Sequence, residues 1–331
     1  MHVCNYARPW PGVFILLIAL TGCSGIEVSR SIAGTDSRQQ ELEAVPFFPQ
    51  QDYQCGPAAL ATVLQAEGID VVPEKLTAAV YLPERKGSLQ IELTAAARSY
   101  GLVAYPLSAG IEALVAEIDA GNPVLILQNL GLDWWPQWHY AVVIGYDLDA
   151  GNLILRSGVT RRHVIPLATF DRTWRRGGRW ALVILPPGKI PATAEPLAYS
   201  RAVHDLALAG HSHAALNAFR ASAGRWPRER ISLMAWGNAE YTSGSLERAE
   251  KAFRQAILYH PESADAWNNL AYALAARSCR REALQAIACG QEMAPTDVNL
   301  QASAEELNQL PAGQGVNCQP VACSGNGWRL P

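Results

Sequence analysis

The sequence predicts two folded units in series: a domain that mixes helix and strand, then an all-α array of repeats. Three observations carry this. An apolar helical pattern begins at Cys55, and apolar strand patterns follow at 139–146 and 152–156. A proline-rich stretch, 186–196, then interrupts the pattern as an interdomain linker does. Beyond it, alanine, bulky apolar and proline positions recur every 34 residues. A chain of 331 residues exceeds one ordinary core, and 49% hydrophobic content excludes wholesale disorder. The formal net charge of −3 argues against a nucleic-acid partner.

Residues 1–22 read as an export signal. His2 and Arg8 give a thin basic start, and Val13 to Leu20 form an apolar run too short to span a bilayer. Leu20-Thr21-Gly22-Cys23 reads as a bacterial lipobox, which implies cleavage before Cys23, diacylglycerol on its sulfur and acylation of the new terminus. Ser24 follows where an inner-membrane retention aspartate would stand, so the expected location is the outer membrane, facing the periplasm. The alternative is a plain secretory signal with an incidental cysteine; either takes the mature protein out of the cytoplasm. Residues 23–44 are polar and patternless, which suits a tether.

The chemistry falls in residues 45–187. Pro57 is tolerated in a helix's first turn, and residues 58–64 continue the helix with an apolar face at Leu60, Val63 and Leu64. Cys55 therefore sits at a helix start, where unpaired backbone N–H groups lower a thiol's pKa. It is the candidate nucleophile and the one thiol expected to alkylate readily; an inert core cysteine is the alternative. His139 opens a strand apolar enough to be buried on both faces. An imidazole can take the thiol proton and return it to a leaving amine, whereas a structural histidine does neither. Trp134, Trp135 and Trp138 beside it either wall a dry cleft or fill core. Gln50 is the candidate oxyanion donor, ahead of Gln51, with a plain loop glutamine as the alternative.

Taken together, Gln50 with Cys55-Gly56-Pro57-Ala58, Lys86-Gly87-Ser88 before a helix ending at Tyr100-Gly101-Leu102, the run 120–126, and His139 leading its strand resemble the bacteriocin-processing (double-glycine leader) peptidases. The resemblance implies an α+β papain-like cysteine peptidase domain that cleaves peptide bonds by thiolate attack. It also exposes two departures. Papain-like enzymes usually place the glutamine six residues before the cysteine, where Pro49 stands; Gln50 is five before and Gln51 four. Relatives carry an aspartate about eighteen residues after the histidine, where this chain has Ser157-Gly158. Ser157 is then the aligned orienting residue, able to accept from the imidazole N–H but without charge, which makes a weaker base. Asp147, Asp149 and Asn152 lie nearby and read as the turn between two strands.

After the linker at 188–196, residues 197–310 carry the repeats. Pro227, Pro261 and Pro295 recur at 34 residues, in frame with Ala215, Ala249 and Ala283 and with Phe219, Phe253 and Ile287. This is tetratricopeptide-like spacing. Trp267, Leu270 and Gly237 occupy motif positions, and the first repeat, from about Pro196, is poorer, with Val203 at the glycine position. Three repeats make a stack whose groove is expected to take an extended peptide or a protein partner. Of seven cysteines, Cys4 leaves with the signal, Cys23 takes lipid and Cys55 is the nucleophile. The remaining four, Cys279, Cys289, Cys318 and Cys323, suggest disulfides in an oxidising compartment. If Cys279 and Cys289 share a helix they stand about 15 Å apart, beyond bonding reach. Pairing with the cysteines of the tail, 311–331, or of Cys318 with Cys323 remains, with a zinc site as runner-up.

The sequence thus describes a lipid-anchored, extracytoplasmic cysteine peptidase with a repeat domain, requiring no metal or organic cofactor because thiol and imidazole suffice. Two other classes stay open. One is a catalytically weak peptidase-like lipoprotein that binds peptides or scaffolds an envelope complex. The other is a thiol-dependent acyl transferase.

Overall fold

A computed structural model describes residues 37–50, 54–311 and 315–323. The signal, the lipobox and Cys23 lie outside the described residues. The chain divides into two compact units at Ala194/Glu195.

The amino-terminal unit is an antiparallel sheet. Among the described residues its strands are β1 (Gln39–Glu41), β2 (Val103–Pro106), β3 (Val124–Asn129), β4 (Trp138–Asp147), β5 (Asn152–Ser157), β6 (Thr160–Pro166) and β7 (Ala181–Leu185), in the order β2-β7-β3-β4-β5-β6. Five α-helices cover it: α1 (Cys55–Ala66), α2 (Pro73–Val80), α3 (Gln90–Ser99), α4 (Ile111–Asp119) and α5 (Leu167–Arg176). Side chains alternate along the strands, so Leu125, Leu127, Tyr140, Val142 and Ile144 pack with α1–α3. Val124, Ile126, Ala141 and Val143 pack with α4 and α5 on the other face. β4 is therefore buried on both faces, as its unbroken apolar pattern predicts.

One expected boundary moves. Residues 39–44 were expected in the tether, yet Gln39, Gln40 and Glu41 pair with Asp147, Tyr146 and Gly145, and Leu42 N–H donates to Ile144 O at 2.8 Å. A polar three-residue strand has no hydropathy signal; backbone pairing holds it. A Cβ on Gly145 would lie 2.6 Å from Gln40 O, so this glycine admits β1. The linker is tied down as well. Buried Glu117 accepts from the Thr193 amide at 2.8 Å, its hydroxyl at 2.6 Å, the Ala192 amide at 3.2 Å and Asn122 Nδ2 at 2.7 Å.

The carboxy-terminal unit contains α6 (Pro196–Leu208), α7 (Ser212–Arg225), α8 (Arg230–Thr242), α9 (Leu246–Tyr259), α10 (Ala264–Ala276), α11 (Arg280–Met293) and α12 (Val298–Gln309). The first helices of successive pairs begin at 196, 230 and 264, and α12 begins at 298, so the 34-residue period continues past the third pair. The array is thus three helix pairs plus one helix. Pro227, Pro261 and Pro295 stand in the inter-pair turns, where a missing N–H costs no helical bond. Ala249, Ala283, Phe253, Ile287, Trp267 and Leu270 form the core. At Gly237 a Cβ would meet the Phe253 ring at 2.4 Å, which explains the glycine. The tail folds back on α11: Cys279 bonds Cys318 and Cys289 bonds Cys323, with Val321 buried between them. Both disulfides consume the thiolates a zinc site would need.

Candidate active site

The first residue of α1 is Cys55, which is buried. The helix starts here because Gln54 leaves helical geometry and Pro57 is compatible with the first turn; Ala58 N–H returns to Gln54 O at 3.2 Å. The Cys55 and Gly56 amides thus head the helix, and no acidic residue occupies its first turn to offset their positive field. Gly56 has a specific cause. A Cβ there would lie 2.2 Å from Ser88 Oγ, so Ser88 packs against the turn that carries Cys55. Among the described residues the buried Ser88 hydroxyl has no hydrogen-bond partner, and its carbonyl accepts from Tyr140 OH at 3.3 Å. Sequence reasoning placed Ser88 only as a helix-preceding residue and missed this contact, because nothing local couples positions 56 and 88.

His139 is the second residue of β4, and α1 packs on β4. Cys55 shares its apolar cluster with Tyr140 and Trp138, the chain neighbours of His139. Ser157 ends β5, and His139 Nε2 lies 2.8 Å from Ser157 Oγ, the pairing that the count of eighteen residues anticipates. Asp147 lies instead at the far end of β4, where its Oδ1 accepts from Ala150 N–H in the β4–β5 turn, and Asp149 pairs with Arg38. Burial, and secondarily the nearby His163, push the His139 pKa down to about 4. The ring is therefore neutral at physiological pH. In the tautomer whose Nε2–H donates to Ser157 Oγ, the lone pair sits on Nδ1.

Gln50 joins the same neighbourhood. Its side-chain Nε2 donates to Tyr140 O at 3.3 Å, and its backbone N–H donates to Gly158 O at 3.0 Å, tying the segment before α1 to β4 and the β5–β6 turn. Gln51 lies outside the described residues. A cleft of ≈ 380 Å³ opens beside Gln50 and Gln54, floored by Phe48, Ala58, Val72 and Pro73. Gln54, directly before Cys55, is a lining residue that sequence spacing did not single out.

Two expectations change. Cys55, expected as a free thiol, is disulfide-bonded, and its partner lies outside the described residues. Trp134 and Trp135, expected as cleft wall or core, are exposed. Only Trp138 packs inward.

In comparisons with known proteins, residues 42–181 match the family described as Peptidase_C39 like family. A C39-like peptidase from Bacillus anthracis aligns at 22% identity over 47% of this chain and 100% of its own, with a TM-score of 0.41. A double glycine motif protease from an AMS/PCAT transporter, solved with its leader peptide, aligns at 23% identity over 42% of this chain and 90% of its own, TM-score 0.31. The Sgt2 tetratricopeptide domain from Aspergillus fumigatus aligns at 17% identity over 38% of this chain and 92% of its own, TM-score 0.33. No curated protein matches the chain.

Proposed function

Because residues 42–181 form a domain of the Peptidase_C39 like family, we propose that the chain is a cysteine peptidase in which Cys55 attacks the scissile carbonyl and His139 moves the proton. The observation that carries this reading is the 2.8 Å His139–Ser157 contact on the strand against which the Cys55 helix packs. Reduced Cys55 gives its proton to the imidazole as sulfur bonds to the carbonyl carbon. The helix amino terminus stabilises the thiolate, and Gln50, whose amide has a second N–H beyond that on Tyr140 O, stabilises the oxyanion. Collapse of the intermediate passes the proton to the leaving amine, and water then hydrolyses the thioester with His139 as base. Ser157 orients the ring without a charge. The resting pair is accordingly a neutral thiol and imidazole.

The lipobox supports export and lipid attachment through Cys23, and the repeat unit supports binding of a peptide or protein partner. A second reading, a catalytically weak peptidase-like binding lipoprotein, is favoured by the uncharged Ser157. Cleavage of a peptide library by reduced protein, beside Cys55→Ala, separates the two. Ser157→Asp sharpens the test: a carboxylate at this position raises the His139 pKa by about 1–3 units and increases thiol reactivity near neutral pH. Cleavage equal in wild type and Cys55→Ala would refute the peptidase reading.

A further inference from the structure

The loop from β3 to β4 holds four large apolar side chains in water. Leu130 is 48%, Leu132 51%, Trp134 78% and Trp135 59% exposed. This is not slack chain. Leu132 and Trp135 exchange backbone hydrogen bonds of 3.1 Å in both directions, and Leu130 N–H donates to Gln137 O at 2.8 Å. Buried Asn129 locks the base, its Oδ1 accepting from Gly131 N–H at 3.0 Å and Gln137 N–H at 2.8 Å. A Cβ on Gly131 would lie 2.3 Å from Trp135 O, so the hairpin closes only on glycine. The fold spends a buried amide on holding an apolar tip outward. Trp134 and Trp135 stand edge to face with ring centroids 6.4 Å apart, and large apolar side chains held outward in this way mark an interaction surface.

The charge at the base of the hairpin says what it meets. The last turn of α5 abuts β3, since a Cβ on Gly177 would lie 2.3 Å from Leu127 O, and Arg176 donates through Nε and Nη2 to Asn129 O at 3.2 and 3.0 Å. Arg172 and Arg175 on the same helix are exposed. Against these stand Asp133 at the tip and Asp171, which is paired with Arg179 at 2.8 Å. We propose that the Trp134–Trp135 hairpin is a membrane-contact element, its tip seated in the interfacial layer of an anionic bilayer with Arg172 and Arg175 on lipid phosphates. Tryptophan favours the headgroup level, and exposed arginine is attracted to anionic leaflets. The contact is separate from lipid on Cys23 and holds whether or not that cysteine is acylated. It would keep β4, which begins directly after the hairpin, near the membrane surface.

The test uses the unlipidated chain from Ser24 onward, which retains every described residue. It is sedimented with phosphatidylcholine vesicles with and without phosphatidylglycerol, and its tryptophan emission is read with brominated lipid. The expected result is binding to the anionic vesicles, weakened by salt, with quenching by the brominated lipid. Trp134→Ser with Trp135→Ser should weaken binding about tenfold or more and remove the quenching. Arg172→Glu with Arg175→Glu should remove the preference for anionic lipid. Absence of vesicle binding by the folded wild type would overturn the proposal, as would undiminished binding by the tryptophan variant. Loss of peptide cleavage in that variant with vesicle binding unchanged would assign the hairpin to a polypeptide and equally overturn it.

Discussion

Acidification should destabilise the amino-terminal domain through His139, and the size of the effect follows from its burial. The ring titrates near pH 6.5 in an unfolded chain and at about 4 in the fold, where burial, and then His163, penalise its charged form. Between these values the unfolded chain binds a proton that the folded one does not, so stability is full above pH 6.5 and falls as pH drops toward 4. Integrating from pH 7 to pH 4.5 gives a loss of about 2 kcal/mol from this one group. The comparison is wild type against His139→Asn, whose amide can still bond Ser157 but does not titrate. Both are unfolded in urea at the two pH values, in a Cys55→Ser background so that no thiol at position 55 titrates alongside the ring. The stability difference between the two proteins should change by about 2 kcal/mol across that range, and the His139 ring resonances should titrate well below 6.5. A pH-independent difference, or a ring titrating at or above 6.5, would refute the claim that burial keeps this base neutral.

Gly56→Ala should cost about 1–3 kcal/mol through collision with Ser88 Oγ, and Ser88→Gly should recover much of it; equal instability of single and double variants in urea would contradict the contact. In the repeat unit, burial pushes the Glu240 carboxyl up, but hydrogen bonds from Arg220, Arg248 and Trp236 outweigh it and hold the pKa at about 2. Glu240→Ala should therefore lower repeat stability by about 2–3 kcal/mol at neutral pH, discounted because both arginines reach solvent, and calorimetry reads it. Opening Cys289–Cys323, which closes a separation of 34 residues, by serine substitution at both positions should cost about 2–4 kcal/mol, seen as a lower melting temperature of the helical signal.

What the sequence disclosed depended on whether a feature repeats or alternates. β4 was legible because eight consecutive interior residues are buried on both faces, and no surface segment carries such a run. The helix array was legible because each pair solves the same packing problem, so Ala215, Ala249 and Ala283, like Phe219, Phe253 and Ile287, recur in phase. Ser157 could be found only by counting from His139, since a serine ending a strand carries no signal of its own. β1 was illegible, being held by backbone bonds that any side chain permits. The Ser88–Gly56 contact and the latch of Glu117 on Thr193 join distant positions and leave no local pattern. The tryptophan hairpin ran against expectation because tryptophan is usually well buried, and its exposure is imposed by Asn129 and Gly131 at the base. Helix geometry excluded one pairing of the late cysteines, and only the folded tail selects between the others.

The central claim is that Cys55 is a nucleophile activated by His139. It is tested most directly by treating the mildly reduced protein with a peptide bearing a thiol-reactive carbonyl group and mapping the adduct by mass spectrometry. The account predicts covalent capture at Cys55, at a rate at least about 100-fold lower in His139→Ala. Capture at Cys55 no faster than in the urea-unfolded chain, or at a rate indifferent to His139→Ala, would contradict it.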